Sequence, residues 1–158
     1  MDVATSNGWS LYGIPLFIDN LNSLIDSVEE LISKTPDDES LLSHPLIKLY
    51  EALHNAMHVE VPQNPDHKNY RLGNTLGDGN GHWRRVKKGL PSRYRMFFVF
   101  RSSAPKLIIY AHFNIDSEIR REGDRKHDIY EAFKRRLKSG KVPNTIDDLL
   151  ALSSSIPN

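Results

Sequence analysis

The sequence predicts an α+β fold: an N-terminal helical pair, then a small antiparallel sheet, then C-terminal helices. Apolar residues recur at three- and four-residue spacing through much of the first sixty positions, and period-two alternation replaces that rhythm in the segments from Trp83 to Asn114. Charge marks the same division. Between Gly79 and Ile115 there is no Asp or Glu, while Arg84, Arg85, Lys87, Lys88, Arg93, Arg95, Arg101 and Lys106 are all cationic.

Phe17, Leu21, Leu24, Ile25, Val28, Leu31 and Ile32 share one helical face, so residues 15–34 form an amphipathic helix with Pro15 near its first turn. Thr35-Pro36-Asp37-Asp38 ends it. Leu46, Leu49, Leu53 and Met57 define a second helix that starts near Ser43, takes Pro45 into its first turn and closes at Val61-Pro62-Gln63-Asn64-Pro65-Asp66. Short strands are expected at 70–76 and 83–88, separated by Gly77-Asp78-Gly79-Asn80-Gly81, a glycine-rich loop.

Residues 93–101 and 107–114 fit an antiparallel hairpin joined by Ser102-Ser103-Ala104-Pro105-Lys106. Alternation in its first strand sends Tyr94, Met96, Phe98 and Phe100 to one face and Arg93, Arg95 and Arg101 to the other. A third helix over 128–137 carries Ile129, Phe133 and Leu137 on one side, places Lys134, Arg135, Arg136 and Lys138 near its C-terminal end, and stops at Gly140. A short helix over 145–152 then leads to a frayed Ser153-Ser154-Ser155 tail. The length suits a single domain over 1–158, with neither repeat nor linker.

Composition excludes several function classes. With no cysteine, disulfide and thiolate chemistry are absent, and no run of about 18 apolar residues offers a membrane span. Met1-Asp2-Val3-Ala4-Thr5-Ser6-Asn7 lacks the basic start and apolar core of a signal peptide, so a cytoplasmic location and no membrane contact are expected. The net charge of +1 conceals a polarity: residues 1–60 hold ten acids and two bases, residues 61–158 ten acids and nineteen bases, or −8 against +9. The later half therefore presents a basic working surface, and nucleic acid is the first partner to consider.

No cofactor or metal is expected. His54 and His58 stand four apart on a helix, but Asn55 occupies the place where a zinc-protease helix needs Glu, and Asp78-Gly79-Asn80-Gly81 lacks the ligand spacing of a calcium loop. The basic sheet instead suits RNA cleavage without a metal, which needs cations around the phosphate and groups that move protons. Arginines on a strand can grip phosphate oxygens bidentately, and His82, His112, His127 and Tyr130 are candidate proton carriers. Trp83, Tyr94 and Tyr110 offer planes for stacking on unpaired bases, or else pack in the core; Trp83 shares a face with Arg85 and Lys87. Whether His112 shares the Arg95 face depends on one residue of hairpin register.

Asn7-Gly8-Trp9 with Leu11-Tyr12 and Pro15, Tyr70-Arg71-Leu72-Gly73 with Leu76-Gly77, His82 through Lys87, Arg93 through Phe98, Asn114 with Arg120 and Gly123, and Asp128-Ile129-Tyr130 together resemble the YhaV toxins across nearly the whole chain. The resemblance implies a RelE-like fold and the toxin of a bacterial type II toxin–antitoxin module, an endoribonuclease that cuts messenger RNA in association with the ribosome. It also implies a PrlF-like antitoxin, with operator DNA bound through the complex. By the same resemblance the catalytic set includes Arg85, Lys87, Arg95, Arg120 and Tyr130, with Arg93 beside them for RNA; from the residues themselves His112 joins the catalytic candidates, and Trp83, Arg84, Lys88 and Arg101 on the basic strands are further RNA contacts. Where the family pattern has Trp and an acid around the Asn, this chain has His112 and Ile115. A binding module without catalysis, acting as co-repressor or ribosome-bound inhibitor, would use the same face.

Overall fold

The chain begins with strands. In the computed structural model, which describes residues 2–114 and 128–158, β1 (Thr5–Ser6) and β2 (Trp9–Gly13) form a hairpin before any helix. Its turn is Asn7-Gly8, both at positive φ, 50° and 84°, a dipeptide that favours such turns. The helical pair expected at the N-terminus therefore follows a hairpin, whose strand β2, five residues ending in glycine, is too short to carry a readable alternation.

Helix α1 (Pro15–Lys34) matches the expected span. The second helix is longer and broken into pieces: α2 (Asp38–Ser43), α3 (Pro45–Asn55), a π-helical turn (Ala56–Glu60) and α4 (Val61–Gln63). Pro62 continues it because proline is tolerated in the first turn of a helical piece. Residues 70–76 do not form a strand. They follow a 3₁₀ turn (Lys68–Tyr70), make a single bridge from Arg71 to Arg84, and break at Gly73 and Gly77, both at positive φ.

After them come β3 (Arg84–Val86), β4 (Met96–Arg101), β5 (Leu107–Phe113), α5 (Ile129–Ser139), α6 (Ile146–Leu152) and β6 (Ser154–Ser155). Strand order is β1-β2-β5-β4-β3, with β6 also on β2. The sheet is mixed, since β2 runs parallel to β5, and the serine tail is a paired strand instead of a frayed end. The β4–β5 hairpin is antiparallel as expected.

Both sheet faces are covered. Phe17, Leu21, Leu24 and Val28 of α1 are buried, with Phe17 stacked on Tyr110 at 5.5 Å and edge-on to Phe113; each such side chain contributes about 1.5–3 kcal/mol by leaving water. On the opposite face Phe133 of α5 stacks on Phe97 at 4.3 Å and meets Trp83 edge-on. The expectation of one packed face and one open arginine face thus fails along most of β4, where Met96 through Val99 are all buried.

A bulge sets which residues face α5. Phe98 pairs with Tyr110 but Phe97 pairs with His112, leaving Ala111 as the extra residue. Tyr110 consequently faces α1, its hydroxyl donating to the Met57 carbonyl at 2.8 Å, while His112 faces α5 and lies parallel to Phe133.

Candidate active site between the sheet and helix α5

Arg85, Phe97 and His112 are cross-strand partners in β3, β4 and β5, and form one row. Tyr130, Phe133 and Arg136 of α5, spaced three apart and so on one helical face, lie over it. Asp128 starts the helix: its carboxylate accepts the Tyr130 backbone N–H at 2.8 Å, an N-cap that fixes where the phenol enters the site. Gly140 at φ 80° ends it.

The phenol oxygen of Tyr130 joins two arginines. It accepts from Arg85 Nη1 at 2.9 Å and from Arg95 Nε at 3.1 Å, and Arg95 Nη1 also donates to its neighbour's carbonyl, Tyr94 O, at 2.7 Å. The Arg85 guanidinium lies 6.0 Å from the Tyr130 ring centroid, and Phe97 meets that ring edge-on. All three side chains are half-buried, and among the described residues neither arginine forms an ion pair with a carboxylate. Their Nη2 groups have no partner among the described residues, leaving donors for an anion.

Asn114 aims Arg95 through the backbone. Its Oδ1 accepts the Arg95 N–H at 2.8 Å and its Nδ2 donates to the Arg93 carbonyl at 2.9 Å, so one buried amide takes the place of a strand partner for the turn entering β4. Arg93 sits there at φ 73°, left-handed backbone that costs a non-glycine residue roughly 1–2 kcal/mol.

The remaining expected contacts divide. Arg93 is exposed beside the site; Lys87 and Lys88 are exposed just past β3, where they line a cleft of about 490 Å³ with Asn55, Glu60, Gln63 and Tyr70. Arg84 points elsewhere, bonded to Asp66 at 3.2 Å with its guanidinium 5.5 Å from the Phe100 ring centroid. The Arg84 hydrogen bond is the first cause holding the Asp66 carboxyl below its usual range. Arg101 is at the far end of β4, donating to Pro105 O.

Trp83 is fully buried, its indole N–H bonded to Asn144 at 2.8 Å, and Tyr110 is buried too, so neither plane is open to a base. His82 bonds the Asn144 backbone and holds a loop. His112 is fully buried, with its Nε2 3.3 Å from Arg136 Nη1; because guanidinium cannot accept, Nε2 is the acceptor of that contact. Arg120, His127 and Ile115 lie outside the described residues. Sequence reading missed the Asn114 clamp and the Asn144 anchor, whose signal is only an isolated Asn at an element end.

The rings of His54 and His58 lie 4.3 Å apart, tilted by 30°. Burial, and then the neighbouring His54, hold the His58 imidazole below its ordinary range. Among the described residues no group of three or more His, Cys, Asp or Glu is arranged to hold a metal ion, and no helix is long and apolar enough to cross a membrane.

A family described as a toxin with endonuclease activity, of toxin–antitoxin systems, matches residues 11–154. The chain is 36% identical over 138 residues to Ribonuclease toxin YhaV of Escherichia coli strain K12, covering 87% of this chain and 86% of that protein. It matches Toxin YhaV of Escherichia coli O157:H7 and of strain O6:H1 to the same extent. No solved structure matches. With the match spanning β3, β4, β5, α5 and the Arg85–Tyr130–Arg95 cluster they hold, the chain belongs to the YhaV family, toxins with endonuclease activity from toxin–antitoxin systems.

Proposed function

We propose that this chain cleaves single-stranded RNA without a metal, with Arg85 and Arg95 binding the scissile phosphate and Tyr130 protonating the leaving oxygen. The observation that carries this reading is that one phenol oxygen accepts from both guanidiniums. With both lone pairs engaged, the Tyr130 O–H remains to donate. The ribose 2′-oxygen, losing its proton to solvent, attacks phosphorus as the P–O5′ bond breaks, and O5′ takes the Tyr130 proton. The products are a 2′,3′-cyclic phosphate and a 5′-hydroxyl. Charge growing on the phosphoryl oxygens meets the free Nη2 donors, and charge left on the phenol oxygen meets the two arginines.

Arg93, Lys87 and Lys88 extend the cationic path beyond the reacting phosphate. The buried cluster running from Ala4 to Ile156 supports reading 1–158 as one domain. The basic β4–β5 hairpin covered by a following helix supports a RelE-like arrangement, with action on messenger RNA at the ribosome in the cytoplasm. Membership of a toxin–antitoxin family supports a PrlF-like antitoxin that also carries the complex to operator DNA.

Purified protein incubated with RNA in EDTA, with and without ribosomes, tests the reading. Cleavage in EDTA is expected; no cleavage in either condition, or an absolute need for added metal, contradicts it.

A further inference from the structure

A second concavity adjoins the arginine site at the same end of the sheet. It has a volume of about 560 Å³, inside the roughly 300–1,000 Å³ range of small-molecule sites, and lies between α1, the start of α3 and the turn before β4. Tyr94 and Asn114 belong to both places. Asn114 clamps the Arg93–Arg95 turn and also lines the cleft; Tyr94 gives its carbonyl to Arg95 while lining the cleft. The cleft lies on the α1 side of this turn and the Arg95 guanidinium on its α5 side, so an RNA strand passing round this end of the sheet meets both.

We propose that this cleft binds an unpaired nucleobase of the nucleotide next to the cleaved phosphate and so sets sequence preference. The proposal rests on the ribonuclease reading above. On the α1 wall, Asn20, Ser23 and Ser27 recur at helical spacing and supply amide and hydroxyl groups, with Leu24 and Phe113 as apolar surface. On the opposite wall His44 accepts the Leu46 N–H through Nδ1 at 3.1 Å, which fixes its proton on Nε2 as a donor.

Charge supports the same occupant. Although α1 carries Asp19, Asp26, Glu29 and Glu30, none of them lines the cleft, and Lys48 does. An aromatic plane, an apolar floor and a few mixed donors and acceptors, with no carboxylate among the described lining residues, match a flat heterocycle attached to an anionic backbone.

Ser23→Trp and Ser27→Leu, both at exposed α1 positions, fill the cleft without touching the arginine site, and their melting curves report folding. Cleavage sites are mapped on an RNA pool randomised around the cut, and the four nucleoside monophosphates are titrated by NMR. Wild type is expected to show a base bias at one flanking position and to shift the Tyr94 and Phe113 resonances. The variants should flatten that bias and weaken monophosphate binding about tenfold while still cleaving RNA. An unbiased wild type, or variants that fold and keep the wild-type bias and binding, overturns the proposal. So does loss of antitoxin binding in Ser23→Trp with the bias intact, which would make the cleft an antitoxin seat. If wild type fails to cut any RNA, the ribonuclease reading falls, while the titration still decides the cleft.

Discussion

Tyr130 and Arg95 meet at 3.1 Å through the phenol oxygen and Nε although 35 residues separate them. The contact ties the first turn of α5 to the entry of β4, and Arg85 closes it from β3 at 2.9 Å. Three elements thus place three polar groups around one point, with a rigid aromatic stack of Phe97 on Phe133 beneath.

Arg85→Ala and Arg95→Ala should each lower RNA cleavage by about two to three orders of magnitude, as expected for donors aimed at transition-state charge. Arg101→Ala, remote at the hairpin turn, should leave the rate within about twofold. Single-turnover cleavage of one RNA checks this, with melting temperatures showing that the arginine variants stay folded.

Asn114→Ala removes both clamp bonds and leaves the Arg95 N–H and Arg93 C=O unpaired. A stability loss of about 2–4 kcal/mol is expected in urea unfolding, with cleavage falling even when the variant is fully folded. Asn114→Asp keeps the acceptor but turns the donor into a second acceptor facing the Arg93 carbonyl, so it should recover only part of either property.

Arg93→Gly separates backbone strain from RNA contact. Glycine relieves the positive φ at a cost in unfolded-state entropy, so stability should change by no more than about 1 kcal/mol in either direction. RNA affinity should fall, and the slope of log affinity against log salt should shrink by about 0.7, the loss of one phosphate contact on a single strand.

Acidification should destabilise the fold through His58. Its imidazole is held below the ordinary value of 6.5, burial being the larger cause, so the unfolded chain binds the proton first. The contribution is complete above about pH 6.5 and is lost as pH falls through the lower folded value. Urea titrations at about pH 7 and 5 should show this loss, and His58→Gln should reduce it.

The helices α1, α3 and α5 and the β4–β5 hairpin were legible because each repeats a strong period over many residues. The pairing of β2 with β5 was not, since a five-residue strand ending in glycine carries too little pattern and its partner lies almost a hundred positions away. The Ala111 bulge was also invisible: it sends Tyr110 and His112 to opposite faces where alternation would put them together. Hence His112, a candidate proton carrier whose face the sequence leaves open, is in the fold a buried neighbour of Arg136. Arg85, Arg95 and Tyr130 were named from the sequence, but their convergence depends on α5 crossing that one face. Trp83 was open between base platform and core, and Asn144 settles it by taking the indole N–H inside.

The most direct measurement of the central claim compares Tyr130→Phe with wild type on two RNAs, one with an ordinary 5′-oxygen at the cut and one with sulfur in that bridging position. A thiolate leaves without protonation, because thiol pKa values lie near about 8.5. Tyr130→Phe should be slower by roughly 10²–10⁴-fold on the oxygen substrate, the usual worth of a general acid, and close to wild type on the sulfur substrate. Equal impairment on both substrates would show that Tyr130 gives no proton to the leaving group.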